Sequence, residues 1–281
     1  MKVLITGCDG FLGKELTRYF SKNHTVIATN RKTLNPANLS NVSSFFKKNK
    51  VDIVVHTAVK GGKRNHEDCI EDLYKNITMF DNLASCSEHY KALFNFGSGA
   101  EFNRTKSIHL VAETDIYGSF PEDYYGLSKN LITRKINDLN SNIFNLRLYG
   151  CFGFYEEEQR LFRSMFNKVL NSQPFEIHQD KYMDYFYAQD VGKVIEHLAN
   201  NLDKRLKKDY NLCYDKKYKL SELAIKIKNL TNHQQNVIIS NKEMGLSYTG
   251  ANNRLKDLNI DLLGLEIGMQ NCFTEWRING K

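Results

Sequence analysis

The chain begins with a short apolar run, a glycine-rich loop and an amphipathic helix, and this order constrains its fold more than any other feature. Val3-Leu-Ile-Thr6 predicts a buried strand, glycines follow at positions 7, 10 and 13, and residues 13–20 have the apolar spacing of a helix. Gly7, Gly10 and Gly13 permit a tight turn and let a pyrophosphate approach the N-terminus of that helix. The loop therefore predicts a dinucleotide-binding unit, with a purely structural turn as the alternative.

Strands and helices continue to alternate along the first half of the chain. Further strands are predicted at residues 25–28, 52–56, 92–96 and 143–148. Helical spacing of apolar residues lies between them, at residues 41–48, 68–89 and 125–139. Uninterrupted apolar strands that alternate with helices are typical of an α/β fold with a Rossmann-type, doubly wound parallel sheet.

Beyond about residue 150 the pattern becomes mixed, with helices predicted near 160–171, 190–201 and 220–231. We therefore predict two units. Residues 1–150 form the dinucleotide-binding domain, to which the chain returns near 178–190. Residues 151–281 form a smaller, mixed α/β domain that binds the substrate.

Composition and charge exclude several other classes of protein. No apolar run approaches the roughly 18 residues of a membrane span. Because a strand is predicted at the very start, we expect no signal peptide. The six cysteines are scattered and the eight histidines lack zinc-ligand spacing. The net charge is +7, but the lysines are dispersed, so we interpret them as solvated faces. We expect a cytoplasmic protein without a metal, a nucleic-acid partner or a membrane partner.

The residues after the second predicted strand select between two dinucleotides. An acid at this point binds the ribose hydroxyls of NAD, whereas the 2′-phosphate of NADP needs a cation. This chain has Asn30-Arg31-Lys32 and no acid. Arg31 suits a bidentate phosphate contact, although Arg31 and Lys32 could also be plain surface charges. We predict NADPH as the cofactor, with Asn30 and Arg31 among its contacts.

Ser98, Tyr125 and Lys129 are the candidate catalytic residues. Tyr125 and Lys129 are four residues apart in a predicted helix, so they share one face. A lysine ammonium there stabilises tyrosinate and lowers a phenol pKa from its usual value of about 10. Ser98 follows a strand and can hold a substrate oxygen beside the phenol. The pattern indicates a proton donor for an alcohol/ketone interconversion; Tyr124, five residues from Lys129, is the less suitable phenol.

Taken together, these features resemble the extended short-chain dehydrogenase/reductase family in its nucleotide-sugar branch, over nearly the whole chain. Tyr125-Gly-Leu-Ser-Lys129 is similar to the active-site helix of that family, and Phe96-Gly-Ser98 to the strand end with its catalytic serine. Similar later segments are residues 183–190, 210–213, 220–223 and 253–258. The resemblance implies that Ser98, Tyr125 and Lys129 are catalytic and that Lys129 also holds the cofactor ribose.

Cofactor contacts are also expected from the rest of the loop and from one residue after the third strand. Asp9, Phe11 and Leu12 lie within or directly after the glycine loop, and Ala58 follows the strand at residues 52–56. The resemblance further implies a homodimer, because the helix at Tyr125 and the one ending near residue 89 are similar to those that form an intermolecular four-helix bundle in this family.

Within that branch, residues 51–62 and 72–76 most resemble the GDP-fucose synthases, which epimerise carbons beside a 4-keto group and then reduce the ketone with NADPH. Ala100 replaces the epimerising cysteine of those enzymes, and alignment puts Arg160 at their epimerising histidine. Alanine cannot shuttle a proton and arginine stays protonated. We therefore expect ketone reduction without epimerisation.

The expected activity is thus the NADPH-dependent reduction of a nucleotide-linked keto-sugar, of the 4-keto-6-deoxy class. Two alternatives remain open: an epimerase with retained NAD, and a non-enzymatic NADPH-binding subunit. Gly150 replaces a substrate-binding asparagine of the related enzymes and Asp184 replaces a basic residue, so the base and the sugar are not specified.

Overall fold

The computed structural model describes residues 1–62 and 67–279 of the chain. The predicted domains include residues 63–66 and 280–281, which lie outside the described residues. The strands are β1 (Lys2–Thr6), β2 (Thr25–Thr29), β3 (Ile53–His56), β4 (Ala92–Ser98), β5 (Ile108–Val111), β6 (Ile143–Leu148), β7 (Cys151–Phe152), β8 (Phe175–Gln179), β9 (Phe186–Tyr187), β10 (Asp209–Leu212), β11 (Val237–Asn241) and β12 (Tyr248–Gly250).

The helices follow the alternation that the sequence predicts. They are α1 (Phe11–Phe20), α2 (Leu39–Lys48), α3 (Ile70–Ala84), α4 (Tyr124–Asp138), α5 (Leu161–Leu170), α6 (Ala188–Ala199), α7 (Leu220–Thr231), α8 (Asn253–Lys256) and α9 (Gly264–Asn279). Of these, α8 and α9 were not predicted. Within the described residues, no helix has the length and apolar character that crossing a membrane would require.

A six-stranded sheet with the order β10-β6-β4-β3-β1-β2 organises the fold, and all its pairings are parallel. The prediction of a Rossmann-type parallel sheet is confirmed. From β1 the chain moves to one side for β2 and to the other side for β3, so the strand order reverses beside β1. Such a reversal opens a crevice at the carboxyl ends of the strands, where ligands bind in folds of this kind.

Helices cover both faces of the sheet, as its apolar strands require. Val3 and Ile5 of β1 point to the face covered by α1 and α6, where they join a buried cluster with Leu16 and Val191. Leu4, between them, points to the opposite face and packs in a cluster supplied by α2, α3 and α4. This alternation along one strand separates two apolar layers.

A separate apolar cluster forms in the second half of the chain. Parallel strands β8 and β11 pair there, and α5, α7 and α9 pack around them through Phe162, Phe166, Ile227 and Trp276. More of the chain beyond residue 150 packs against the first unit than the expected segment near residues 178–190. Helix α6 packs on α1, and β10 pairs with β6 at the edge of the central sheet. Residues 210–213 were expected in the second unit, but most of them belong to β10 of the central sheet. The division at residue 150 stays a prediction.

Candidate active site

Ser98, Tyr125 and Lys129 come together at the carboxyl end of β4. Ser98 is the last residue of β4, and Tyr125 lies in the first turn of α4, whose N-cap Asp123 accepts a 2.7 Å hydrogen bond from the Gly126 N–H. One turn later, the Lys129 ammonium donates a 2.8 Å hydrogen bond to the backbone carbonyl of Phe96. The Nζ atom lies 5.9 Å from the centre of the Tyr125 ring. The structure thus brings the three predicted residues together; their catalytic role stays a prediction.

Electrostatics around the two titratable groups follow mainly from burial. Burial raises the pKa of Tyr125 above its usual value, and the opposing effects of the Ser98 hydrogen bond and the Arg104 charge do not cancel it. The net lowering expected for this phenol pKa is therefore not found, because desolvation outweighs the effects that lower it. Burial also lowers the pKa of Lys129 to about 8, because an ammonium is costly to desolvate. At neutral pH the site therefore holds a neutral phenol beside a cationic lysine.

Tyr248, which the sequence analysis missed, also reaches this site. Its hydroxyl lies 3.4 Å from the Ser98 Oγ, although the two residues are 150 positions apart. Burial raises the pKa of Tyr248, so this phenol is also neutral at physiological pH. The close approach depends on Gly99, where an added Cβ would lie 2.7 Å from the Tyr248 Cζ. The only hint in the sequence is Gly99 itself, because a glycine directly after Ser98 suggests that another group packs closely there.

Glu101 has a structural environment rather than a catalytic one. The side chain is fully buried and accepts a 2.7 Å hydrogen bond from the Nε of Arg147, which is also fully buried. Its other oxygen accepts a 2.9 Å hydrogen bond from the backbone N–H of Ser98. A buried ion pair bonded to the backbone fixes the end of β4, and hence the position of Ser98.

The glycine loop has the shape that a dinucleotide pyrophosphate requires. Gly7 adopts a φ of +72°, a left-handed conformation that favours glycine, and its carbonyl accepts a 3.1 Å hydrogen bond from the Gly10 N–H. A Cβ on Gly13 would lie 2.3 Å from the same carbonyl oxygen, so only glycine fits there. The loop therefore opens the N-terminus of α1 to a close ligand, and these residues fit the predicted group.

The other predicted cofactor contacts surround this loop. Phe11 and Leu12 are the first two residues of α1, and Asp9 is exposed in the turn before it. Ala58 abuts Gly7, since a Cβ added to that glycine would lie 2.7 Å from the Ala58 backbone. Ala58 thus lines the crevice between β1 and β3.

Asn30 and Arg31 follow the carboxyl end of β2, as the sequence predicts. The Asn30 side-chain oxygen accepts a 3.0 Å hydrogen bond from the Lys32 N–H, which fixes a turn, and Arg31 is exposed in that turn. No acidic residue occurs between positions 25 and 40, so the turn presents only positive charge.

Arg160 lies beside the first residue of α1, although its side chain is 43% exposed. Its guanidinium is 5.6 Å from the centre of the Phe11 ring and donates a 3.3 Å hydrogen bond to the carbonyl of Cys151. It also pairs with Glu156 at 3.5 Å. A run of three glutamates at residues 156–158 is typical of a solvated loop. Glu156 is nevertheless buried, and desolvation raises its pKa to about 8.

Comparison with known proteins assigns the chain to a family. Residues 3–213 match the NAD-dependent epimerase/dehydratase family, and the chain belongs to that family. Its resemblance to the nucleotide-sugar branch of the extended short-chain dehydrogenases/reductases is thereby confirmed. Among curated relatives, the dTDP-4-dehydro-6-deoxyglucose reductase of Escherichia coli is 25% identical over 226 residues, covering 67% of this chain and 69% of that protein.

Solved structures share the fold at lower identity. The GDP-mannoheptose C4 reductase from Campylobacter jejuni, solved with NADP bound, has a TM-score of 0.84 at 17% identity and covers 98% of each chain. A GDP-L-fucose synthetase from Naegleria fowleri has a TM-score of 0.82 at 15% identity, covering 99% of this chain and 93% of that one. The prediction of an NADP(H) cofactor agrees with the ligand of the first of these structures.

Proposed function

We propose that this protein is an NADPH-dependent reductase of a nucleotide-linked keto-sugar, with a 4-keto-6-deoxy sugar as the substrate class. The observation that carries the proposal is the convergence of Ser98, Tyr125 and Lys129 at the end of β4. That strand end borders the crevice into which the glycine loop opens. Relatives with the same fold include reductases of GDP-linked and dTDP-linked sugars, which supports this substrate class.

Each of the three residues has one role in the reduction. The Tyr125 hydroxyl donates its proton to the carbonyl oxygen as that oxygen gains negative charge, and the Ser98 hydroxyl holds the same oxygen by a hydrogen bond. Lys129, fixed by the Phe96 carbonyl, places a positive charge beside the phenol and stabilises the tyrosinate that remains. Because burial keeps the Tyr125 pKa high, the group is a proton donor and not a base at neutral pH.

The cofactor is held by the loop from Gly7 to Gly13, with Ala58 on the opposite side of the crevice. NADPH, once bound, supplies the hydride that the carbonyl carbon receives. Arg31 binds the 2′-phosphate, since its exposed turn after β2 carries positive charge only. Lys129 also contacts the ribose beside the nicotinamide.

Reduction proceeds without epimerisation, because no proton shuttle stands at Ala100 or Arg160. In addition, the Arg160 guanidinium pairs with Glu156 and donates a hydrogen bond to the carbonyl of Cys151. An epimerase with retained NAD would instead carry an acid after β2, where this chain has Asn30-Arg31-Lys32.

The second unit, built on β8, β11, α5, α7 and α9, binds the nucleotide-sugar above the crevice. The protein works as a cytoplasmic homodimer. All six cysteines lie in the described part of the chain and are free, which suits a reducing compartment.

A panel of GDP-, dTDP- and UDP-linked 4-keto-6-deoxy sugars tests the function directly. Each is incubated with the protein and NADPH, and turnover is followed by absorbance and product NMR. We expect at least one sugar to be reduced at C4, with retained configuration at C3 and C5. The Tyr125→Phe variant serves as the control for activity from contaminants. Failure to oxidise NADPH with every sugar of the panel would contradict the proposal.

A further inference from the structure

Tyr248, the first residue of β12, has a side chain that is held in one direction by its surroundings. Its backbone N–H donates a 2.8 Å hydrogen bond to the carbonyl of Tyr182, and its carbonyl accepts a 3.1 Å hydrogen bond from the Asp184 N–H. The ring packs edge to face on Tyr149, with 5.4 Å between the ring centres. Gly99 lies against the same ring, since an added Cβ there would be 2.7 Å from the Tyr248 Cζ. The phenol hydroxyl therefore has a defined position.

The Ser98 hydroxyl has two neighbours that can donate hydrogen bonds to it. The Ala100 N–H donates to the Ser98 Oγ at 3.2 Å, and the Tyr248 hydroxyl lies 3.4 Å from the same atom. A serine hydroxyl can accept at two lone pairs and can donate one proton. If Tyr248 donates to it, both lone pairs are occupied, and the Ser98 proton has to point towards a third group.

The direction of the hydrogen bond between the two hydroxyls follows from their acidity. A phenol is a stronger acid than an aliphatic alcohol and is therefore the better donor. Burial raises the pKa of Tyr248, so this phenol keeps the proton that it donates. The distance of 3.4 Å is long for two hydroxyls, and catalytic hydrogen bonds of such length commonly shorten in the complex with substrate.

The direction of the Ser98 proton matters for the proposed reduction, in which this proton holds the carbonyl oxygen while Tyr125 protonates it. A donor that already points at the oxygen needs no reorientation when negative charge develops there. Glu101 fixes the backbone N–H of Ser98, but a backbone contact leaves the hydroxyl free to rotate. A second contact, at the Oγ itself, is needed to remove that freedom.

We propose that Tyr248 is a positioning residue of the active site: together with the Ala100 N–H, its hydroxyl fills both lone pairs of the Ser98 Oγ and so directs the Ser98 proton to the carbonyl oxygen of the substrate. This inference rests on the proposed function, which gives the Ser98 proton its target. Tyr248 neither gains nor loses a proton in the reaction. Tyr125 remains the phenol that transfers a proton, because the Lys129 ammonium lies 5.9 Å from the centre of its ring.

A double-mutant cycle between the two hydroxyls tests the inference. Tyr248→Phe removes the phenol hydroxyl and keeps the ring that packs on Tyr149, whereas Ser98→Ala removes the acceptor. NADPH oxidation is followed in single turnovers, so that slow variants remain measurable. With Ser98 present, we expect Tyr248→Phe to lower the rate about tenfold, the upper range for one neutral hydrogen bond, and to leave the Kd for NADPH unchanged.

The result with Ser98→Ala distinguishes a positioning role from other roles. A residue that acts through Ser98 has nothing to position once the serine hydroxyl is absent, so Tyr248→Phe should then change the rate by less than about twofold. An equal loss in the two backgrounds would overturn the inference, because it would mean that Tyr248 acts independently of Ser98, as a structural residue or as a second proton donor.

Tyr149→Phe is the matched control for the loss of a buried hydroxyl. Tyr149 packs against Tyr248, but its hydroxyl donates a 3.3 Å hydrogen bond to the Asn211 Oδ1 and not to Ser98. Any effect of Tyr149→Phe on the rate should therefore be the same factor with and without the Ser98 hydroxyl. Thermal unfolding of every variant with NADP⁺ checks that the fold is retained.

NMR of the tyrosine rings separates this inference from the proposed function, because it needs no keto-sugar. The protein is labelled with ¹³C at the tyrosine Cζ atoms, and the Phe variants assign the Tyr248 and Tyr149 resonances. We expect Ser98→Ala to shift the Tyr248 resonance more than that of Tyr149. No shift, or equal shifts, would overturn the inference even in a working reductase. A shifted Tyr248 resonance in a protein that reduces no keto-sugar would overturn the proposed function, whereas the hydrogen bond between the two hydroxyls would stand.

Discussion

The ammonium of Lys129 donates a 2.8 Å hydrogen bond to the backbone carbonyl of Phe96, two residues before Ser98. The bond ties the helix that carries Tyr125 to the strand that ends in Ser98, so the three side chains keep one geometry. Burial around this bond lowers the pKa of Lys129 to about 8, opposed by the negative charge of Glu101. Lys129 is thus charged at neutral pH and loses its proton in mildly alkaline solution.

This pKa predicts the alkaline limb of the activity profile. Lys129 carries its charge below about pH 8 and loses it above, so stabilisation of tyrosinate is lost as the pH rises. We expect log kcat/KM to fall with a slope of about −1 above that pH, since kcat/KM reports groups of the free enzyme. The control is Lys135→Ala, on the same helix but half exposed, which should keep the inflection. A flat profile up to pH 10 would contradict this role of Lys129.

Tyr125→Phe should remove the proton donor and leave the fold intact. We expect kcat to fall by roughly 10²-fold or more, the usual scale for general acid catalysis, with little change in the Kd for NADPH. Tyr124→Phe is the matched control, because Tyr124 is 41% exposed on the adjacent position of the same helix. Stopped-flow measurement of NADPH oxidation by both variants tests this prediction. Near-wild-type turnover of Tyr125→Phe would show that Tyr125 is not the proton donor.

Arg31→Ala should weaken NADPH much more than NADH, because only NADPH carries a 2′-phosphate. We expect the Kd for NADPH to rise about tenfold or more, the equivalent of one charge-assisted contact of about 1.4 kcal/mol. The Kd for NADH should change little. Fluorescence titration with both cofactors measures this, with Lys48→Ala on α2 as the charge-matched control. An equal rise for the two cofactors would show that Arg31 does not bind the phosphate.

The sequence predicts the parts of the site that lie close together along the chain. The spacing of Tyr125 and Lys129 is enough to place them on one helix face. The glycines at positions 7, 10 and 13 likewise predict the turn of the loop. Tyr248 could not be found this way, because it reaches Ser98 from a strand 150 positions later. The burial of Glu156 has a different explanation. Its partners Arg160 and the Arg163 N–H are close in sequence, but a run of glutamates by itself indicates a solvated loop.

The faces of α3 and α4 predict a homodimer. These helices pack on each other, yet Tyr74 of α3 is 61% exposed and Leu131 of α4 is 39% exposed, so apolar side chains remain uncovered on both helices. We expect sedimentation at twice the chain mass of 32.6 kDa at micromolar concentration. Tyr74→Arg should shift the protein towards the monomer. Ile225→Arg, on a 50% exposed residue of α7, should not. A wild-type monomer would contradict the prediction.

The last prediction is that the enzyme reduces its keto-sugar without epimerising it. Removal of a proton beside a ketone needs a base within hydrogen-bond reach and with a pKa near the working pH. Ala100 has no ionisable group, and Arg160 is held by Glu156 and by the carbonyl of Cys151. Tyr248 comes close to Ser98, but burial keeps its pKa high, so it is a poor base.

Deuterium exchange tests this directly. A nucleotide-linked 4-keto-6-deoxy sugar is incubated with the enzyme in D₂O and NADP⁺, so that no reduction competes, and C3 and C5 are followed by NMR. We expect exchange at the spontaneous rate only, with Tyr125→Phe and Tyr248→Phe giving the same rate as the wild type. Enzyme-dependent exchange would show that a base reaches these carbons. Its loss in Tyr248→Phe would then identify that phenol as the group that replaces the missing proton shuttle.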